Sequence, residues 1–246
     1  MNRIYVTLFL VLALAGCRTG GGAPEQVELS DDVRTELDEI QALYATPDCY
    51  YARFSVRGNV QGQGEQEARG LIRADNLNER MLMVFQDPFI GITLSRVVIK
   101  GGTVYISNPR DGLQKVPLEL FQVQGLGNNS IALPFRVFQN LLFARLPEQL
   151  FTSAARPELN DTSLTISYLD ETESYLYQFE ERRLREIRYG RSDLDIEVDL
   201  EGVYGRTAFP RTIRMRSVRP AGDAMQIRFS RVDPAASCRD SFFTER

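Results

Sequence analysis

From Tyr50 onward the spacing of apolar residues changes from about 3.6 to 2, and that period dominates almost to the end of the chain. In "YYARFSVRGNV" (50–60) Ala52, Phe54 and Val56 alternate with Arg53, Ser55 and Arg57. "ARGLIRAD", "RMLMVFQ", "ITLSRVVIK" and "TVYISN" follow as short strands divided by Gly, Asn, Asp and Pro, with "KGG" (100–102) as a tight hairpin turn. A second series runs through "SLTISYL" (163–169), "SYLYQFE", "RRLREIRYG", "LDIEVDL", "FPRTIRMRSV" and "MQIRFSRV". A helix cannot bury a face of period 2. Strands at hairpin spacing pair antiparallel, and a sheet of this many is large enough to curl.

Two segments keep the helical period. In "SDDVRTELDEIQALY" (30–44) Ser30 is placed to cap, Asp31 and Asp32 suit the first turn, and Val33, Leu37, Ile40 and Tyr44 fall on one stripe. Between the strand series, "VPLELFQV" (116–123) leads to "LPFRVFQNLLFARLPEQLF" (133–151). There Pro134 suits a first helical turn, Phe135, Phe138, Leu141 and Leu142 make a broad apolar face, and Pro147 opens another short helical piece. The expected order is helix, five or six strands, helical insert, then about six strands.

Two strands are informative beyond their period. In "DLDIEVDLE" (193–201) Leu194, Ile196, Val198 and Leu200 face one way and four carboxylates the other, between strands carrying Arg183, Arg185, Arg211, Arg214 and Arg216. A row of carboxylates could serve cation binding or acid catalysis, but strict alternation opposite arginines favours a solvated outer face with charges paired across strands. "RMLMVF" (80–85) is apolar on both faces, so its outer side needs a cover, for which the N-terminal helix is the expected element, or a partner.

Met1 to Ala15 holds one basic residue, Arg3, and then a twelve-residue apolar stretch from Ile4 to Ala15, too short for a spanning helix, which takes about 20 residues. It suits the apolar region of a secretory signal. "LAGC" (14–17) resembles the lipobox of bacterial lipoproteins, which implies that residues 1–16 are removed and that Cys17 carries acyl chains anchoring the protein to a membrane. Arg18 stands where the enteric sorting pattern places an inner-membrane aspartate, which favours the outer membrane. Residues 17–29 then read as a flexible tether and 30–246 as a single domain.

Cys49 and Cys238 remain, an even number in an oxidising compartment, which favours a disulfide over two free thiols. With no histidine in the chain, no metal site and no serine triad suggest themselves, and neither an enzyme nor a cofactor is expected. A net charge of −4 and export both argue against nucleic acid as a partner.

The element order resembles the LolA/LolB superfamily of periplasmic lipoprotein carriers and receptors, and more nearly a group of bacterial lipoproteins assigned to that fold. The residues carrying the resemblance are Cys17, the helix at 30–44, "MLMVFQDPFIGITLSRVVIKGGTVYISNP" (81–109) and "FPRTIRMRS" (209–217). It implies a mainly β, open antiparallel half-barrel with an N-terminal helix and a helical lid insert, holding acyl chains of lipids or lipoproteins in an apolar hollow. On that resemblance Phe54, Val56, Leu82, Val84, Ile92, Leu94, Leu194, Ile196 and Val198 are expected to line the hollow, and Phe135, Phe138, Leu142 and Phe143 to form the lid. "QDPFIG" (86–91), with Phe89 and Ile90, loosely matches the exposed apolar loop with which LolB delivers cargo. The alternative is a non-catalytic assembly lipoprotein that docks on other envelope proteins through "RMLMVF" or the 133–151 region.

Overall fold

The computed structural model describes residues 29–60, 64–124, 132–204, 207–219 and 224–245; Cys17 and the signal lie outside the described residues. Helix α1 (Asp31–Leu43) opens the fold, and Val33 N donates to the Ser30 side chain at 3.4 Å. Six strands follow: β1 (Cys49–Val60), β2 (Gly64–Asp75), β3 (Arg80–Gln86), β4 (Thr93–Lys100), β5 (Thr103–Asn108) and β6 (Gly112–Pro117). The insert holds a 3-10 turn (Leu118–Leu120), a ribbon of β7 (Gln122–Gln124) and β8 (Ala132–Pro134), helix α2 (Arg136–Leu142) and a second 3-10 turn (Glu148–Phe151). Then come β9 (Arg156–Asn160), β10 (Ser163–Asp170), β11 (Glu173–Glu180), β12 (Arg183–Arg191), β13 (Leu194–Val203), β14 (Pro210–Arg219) and β15 (Ala224–Asp233), and a last 3-10 turn (Asp240–Phe243).

Thirteen of these strands form one antiparallel sheet in the order β6-β5-β4-β3-β2-β1-β15-β14-β13-β12-β11-β10-β9. It is two meanders joined where the first strand pairs with the last, with Phe54 opposite Phe229. The edges β6 and β9 do not pair with each other, so the sheet is open and not a closed barrel. Its inner face and both helices share one core. Between the meanders the described part of the insert is mostly turn and ribbon; helix α2 there has seven residues and begins after Pro134, which ends β8.

Helix α1 closes the inner face of the second meander. Val33, Leu37 and Ile40 are buried there, Glu36 and Glu39 pair with Arg182 in the β11–β12 turn, and the Tyr44 hydroxyl accepts from Leu184 N at 2.8 Å. The same half is filled by stacked phenol rings: Tyr168 lies 4.8 Å from Tyr175 and 6.1 Å from Tyr177 between centroids, and Tyr189 meets Tyr175 edge-on at 5.3 Å. On its outer face Glu197 pairs with Arg216 and Asp195 with Arg219 at 2.8 Å, the cross-strand ladder the alternation implies.

The outer face of "RMLMVF" is covered, but not by α1. The C-terminal tail crosses it: Phe243 packs on Leu82 and Val98, with Phe242, Cys238, Leu71, Val84 and Tyr105 around them. Arginines clamp the tail from below. Arg73 donates to Ser237 O at 2.6 Å and lies 4.1 Å from the Phe242 ring, Arg96 donates to Phe242 O at 2.8 Å, and Arg80 pairs with Asp240 at 2.8 Å. A disulfide joins Cys49 to Cys238 and ties the tail to the start of β1, with Cα atoms 5.8 Å apart.

Candidate functional site

The inner face of the first meander is built from three cross-strand rows. The lowest runs Tyr50–Ala74–Met81–Ile99–Val104, and each of these is no more than 1 % exposed. The middle row runs Ala52–Ile72–Met83–Val97–Ile106–Gln114. The upper row is Phe54–Gly70–Phe85–Ser95. Side chains of one face recur every second residue, so the rows lie about 6.7 Å apart along the strands. The lowest row is a closed floor; the middle and upper rows border a cavity.

Gly70 shapes the upper row. A Cβ there would stand 2.5 Å from the Phe54 ring and 2.5 Å from the Val84 carbonyl oxygen, so only glycine lets Phe54 lie across β2 to meet Phe85, their centroids 5.7 Å apart. Gly70→Ala is therefore expected to cost about 1–3 kcal/mol of stability through overpacking, measured as a lower urea midpoint at unchanged m-value.

The cavity has a volume of about 610 Å³ and is lined by Phe54, Val56, Ile72, Met83, Phe85, Ser95, Val97, Ile106, Gln114, Val116, Leu120, Phe121, Phe135, Leu142, Met225 and Ile227. Among the described residues no lining side chain is charged, and only Ser95 and Gln114 are polar. Its size and apolar wall are those of a small-molecule site. The insert roofs it. Phe135 N donates to Phe121 O at 3.1 Å, the two rings lie 5.4 Å apart, and Phe135 and Leu142 are both buried against the hollow.

No family model matches the sequence, and no curated protein does. Solved structures match its fold. A LolA superfamily protein from Nitrosomonas europaea aligns with a TM-score of 0.55 at 14% identity, covering 86% of this chain and 97% of that one. The fold is LolA-like. A putative outer membrane lipoprotein-sorting protein domain from Vibrio parahaemolyticus gives 0.60 at 10% identity, over 86% and 95% of the two chains. A DUF1329 family protein from Desulfovibrio piger gives 0.59 at 12% identity, over 87% and 98%.

Within this LolA-like frame the expected lining residues separate into four groups. Phe54 and Val56 line the cavity. Leu82 and Val84 do not, because on β3 it is Met81, Met83 and Phe85 that point inward, and Leu82 and Val84 lie under the C-terminal tail. Ile92 and Leu94 are exposed: Ile92 precedes β4, and Leu94 sits at a bulge where Phe85 faces Ser95 but Gln86 faces Thr93. Leu194, Ile196 and Val198 are buried on the inner face but in the other meander, and none lines this cavity; Ile196 borders a separate pocket there with Tyr168, Tyr175 and Tyr189. Of the lid residues, Phe135 and Leu142 line the cavity, while Phe143 is buried below the Arg145 guanidinium, 5.1 Å from its ring, and does not line it. Phe138 belongs to α2, but its side chain lies outside the described residues.

The hollow opens toward the end of the sheet that carries the β3–β4 and β5–β6 turns, where Phe85, Ser95 and Met225 are half-buried and Gln114 is exposed. At that end residues 87–92 form a turn held from within. The Asp87 carboxylate accepts from Phe89 N at 2.8 Å and Ile90 N at 2.9 Å, Gly91 N donates to Asp87 O at 3.0 Å from a backbone at φ +72°, and Asp87 N donates to Ile92 O at 2.9 Å. The hydrogen bonds from Ile90 and Phe89 hold the Asp87 carboxyl below its ordinary value. This ordered turn presents two apolar side chains to solvent, Phe89 at 93% and Ile90 at 71% exposure.

Proposed function

We propose that this protein is an envelope lipoprotein that takes the acyl chain of a lipid or lipoprotein into the inner hollow of its LolA-like sheet, as a carrier or receptor and without covalent chemistry. The observation that carries the reading is a pairing: an uncharged apolar cavity, and beside its mouth a turn that exposes Phe89 and Ile90. Each methylene moved from water into such a wall contributes about 0.8 kcal/mol, so transfer needs only a route, not a reaction. Among the described residues the cavity wall carries no charged side chain, and its one hydroxyl, Ser95, has no acid or base beside it in that wall.

Location follows from separate features. The lipobox at Cys17 supports an acyl anchor, Arg18 supports the outer membrane, and the Cys49–Cys238 bridge suits an oxidising compartment. The Vibrio parahaemolyticus structure, named for outer membrane lipoprotein sorting, supports the same cargo class. The docking alternative loses one of its surfaces, since the outer face of "RMLMVF" lies beneath the tail.

Native mass spectrometry of the protein purified from a Gram-negative periplasm tests the reading. Co-purified species with the masses of acyl lipids are expected, and they should disappear when Val97→Trp fills the hollow. A protein that emerges empty, and takes up no acyl probe afterwards, defeats it.

A further inference from the structure

Polar side chains around the mouth separate by charge. The two that line the cavity are Ser95 on β4 and Gln114 on β6. Gln66 on β2 and Asn108 on β5 hold the corresponding inward register positions, opposite Gly58 and Gly112. All four are uncharged. The charges of these strands alternate with them on the outer face: Arg57 and Glu67, paired at 3.2 Å, then Arg69, Arg96 and Lys115. A carboxylate or phosphate drawn to the mouth would give up part of its hydration and meet no cation among the described inner-face residues, a costly desolvation. An ester or amide would meet an amide and a hydroxyl able to hydrogen-bond it.

Capacity sets a second limit. The floor row is buried throughout, so a chain entering from the mouth stops there, and the hollow above it measures about 610 Å³. At about 30 Å³ for a methylene, taken as the share of a water molecule, that is the scale of one long chain. The geometry points to a cargo of one long acyl chain on an uncharged ester or amide head, an assignment that rests on the acyl-binding reading above. A lipid with several chains would seat one and leave the rest outside.

The test is displacement of a fluorescent acyl probe from the full chain held in an amphipathic polymer. The competitors are monopalmitoylglycerol, N-palmitoylglycine methyl ester, dipalmitoylglycerol and ionised palmitate. The two single-chain neutral compounds are expected to compete about tenfold or more better than palmitate, because the carboxylate is unpaired at the mouth. Whichever of them is the stronger separates a glyceride source from a lipoprotein-type amide. Dipalmitoylglycerol should compete no better than its single-chain counterpart. Gln114→Arg, on the exposed edge strand, should raise palmitate affinity about tenfold by supplying a charge-assisted partner. Palmitate that already matches the neutral compounds, or a second chain that tightens binding markedly, overturns this assignment while leaving acyl binding intact. Failure of every competitor and of the probe removes acyl binding itself.

Discussion

Replacing Cys49 and Cys238 by serine is expected to lower stability by about 2–5 kcal/mol and to increase self-association. The bridge closes a loop across 189 positions of the sequence, and loop-closure entropy for so long a loop reaches about 5 kcal/mol as an upper value. The second effect comes from what the tail covers. Phe243, Leu82 and Val98 form a small apolar cluster of their own on the outer face, separate from the main core. Arg73, Arg80 and Arg96 hold the tail only through contacts that cost little to open once the covalent tie is gone. Release then leaves a strand that is apolar on both faces, with Leu71 and Val84 beside it. Urea titration with and without reductant reads the first effect, and size-exclusion chromatography the second. Phe243→Ala with the disulfide intact separates them: it should cost about 3–5 kcal/mol as a buried aromatic truncation while the tail stays tethered. If reduction left both the midpoint and the elution volume unchanged, the tail would not be what shields the outer face of β3.

How far the sequence reveals this architecture depends on whether one face of each strand is polar. "RMLMVFQ" and "TVYISN" coincide with β3 and β5, and the helix expected over 30–44 is observed over Asp31–Leu43, because period and punctuation agree there. Strands β6 and β9 escape notice because they are the sheet's edges. "GLQKVP" is exposed on nearly every residue and "RPELN" opens with an arginine and a proline, so neither shows the alternation that burial of one face imposes. The cavity wall escapes for the opposite reason. With both faces of β3 apolar, nothing within the strand distinguishes Met83 from Leu82. The information lay in its neighbours: Arg69 and Arg73 on β2 and Arg96 on β4 mark the outer face, which leaves Gly70, Ile72, Ser95 and Val97 inward. A hydrophobic reading passes over glycine and serine as wall residues, yet those two set the cavity's shape and its polar mouth. The tail's role had a visible trace in "SFF" (241–243), two adjacent aromatics beyond the last strand with no partner in the strand pattern. The tyrosine stack of the second meander was likewise traceable, since Tyr168, Tyr175, Tyr177 and Tyr189 all fall on inward positions.

Phe89→Asp combined with Ile90→Asp is expected to slow lipid transfer to or from vesicles by about 100-fold or more while leaving probe binding in the cavity unchanged. Burying an aromatic and a branched aliphatic side chain contributes about 1.5–3 kcal/mol each, and every 1.4 kcal/mol is a factor of ten. Both side chains stand in solvent, so replacing them removes no packing from the folded protein, and the urea midpoint should hold. The arrangement also carries a pH signature. Asp87 accepts hydrogen bonds from both Phe89 N and Ile90 N more strongly as a carboxylate than as the neutral acid, and its folded value is depressed by them. A depressed acid contributes order above its unfolded value, near ~3.9, and loses that contribution as pH falls through the folded value. Transfer should therefore be flat through neutral pH and decline only in strong acid. Asp87→Asn keeps an acceptor but removes the charge, and should show lower transfer at neutral pH with no further decline on acidification. Equal transfer rates for the double aspartate variant and the parent, with the cavity still loaded in both, would show that cargo reaches the hollow by some path other than this turn. The cavity and the turn would then be unrelated features that happen to share one end of the sheet.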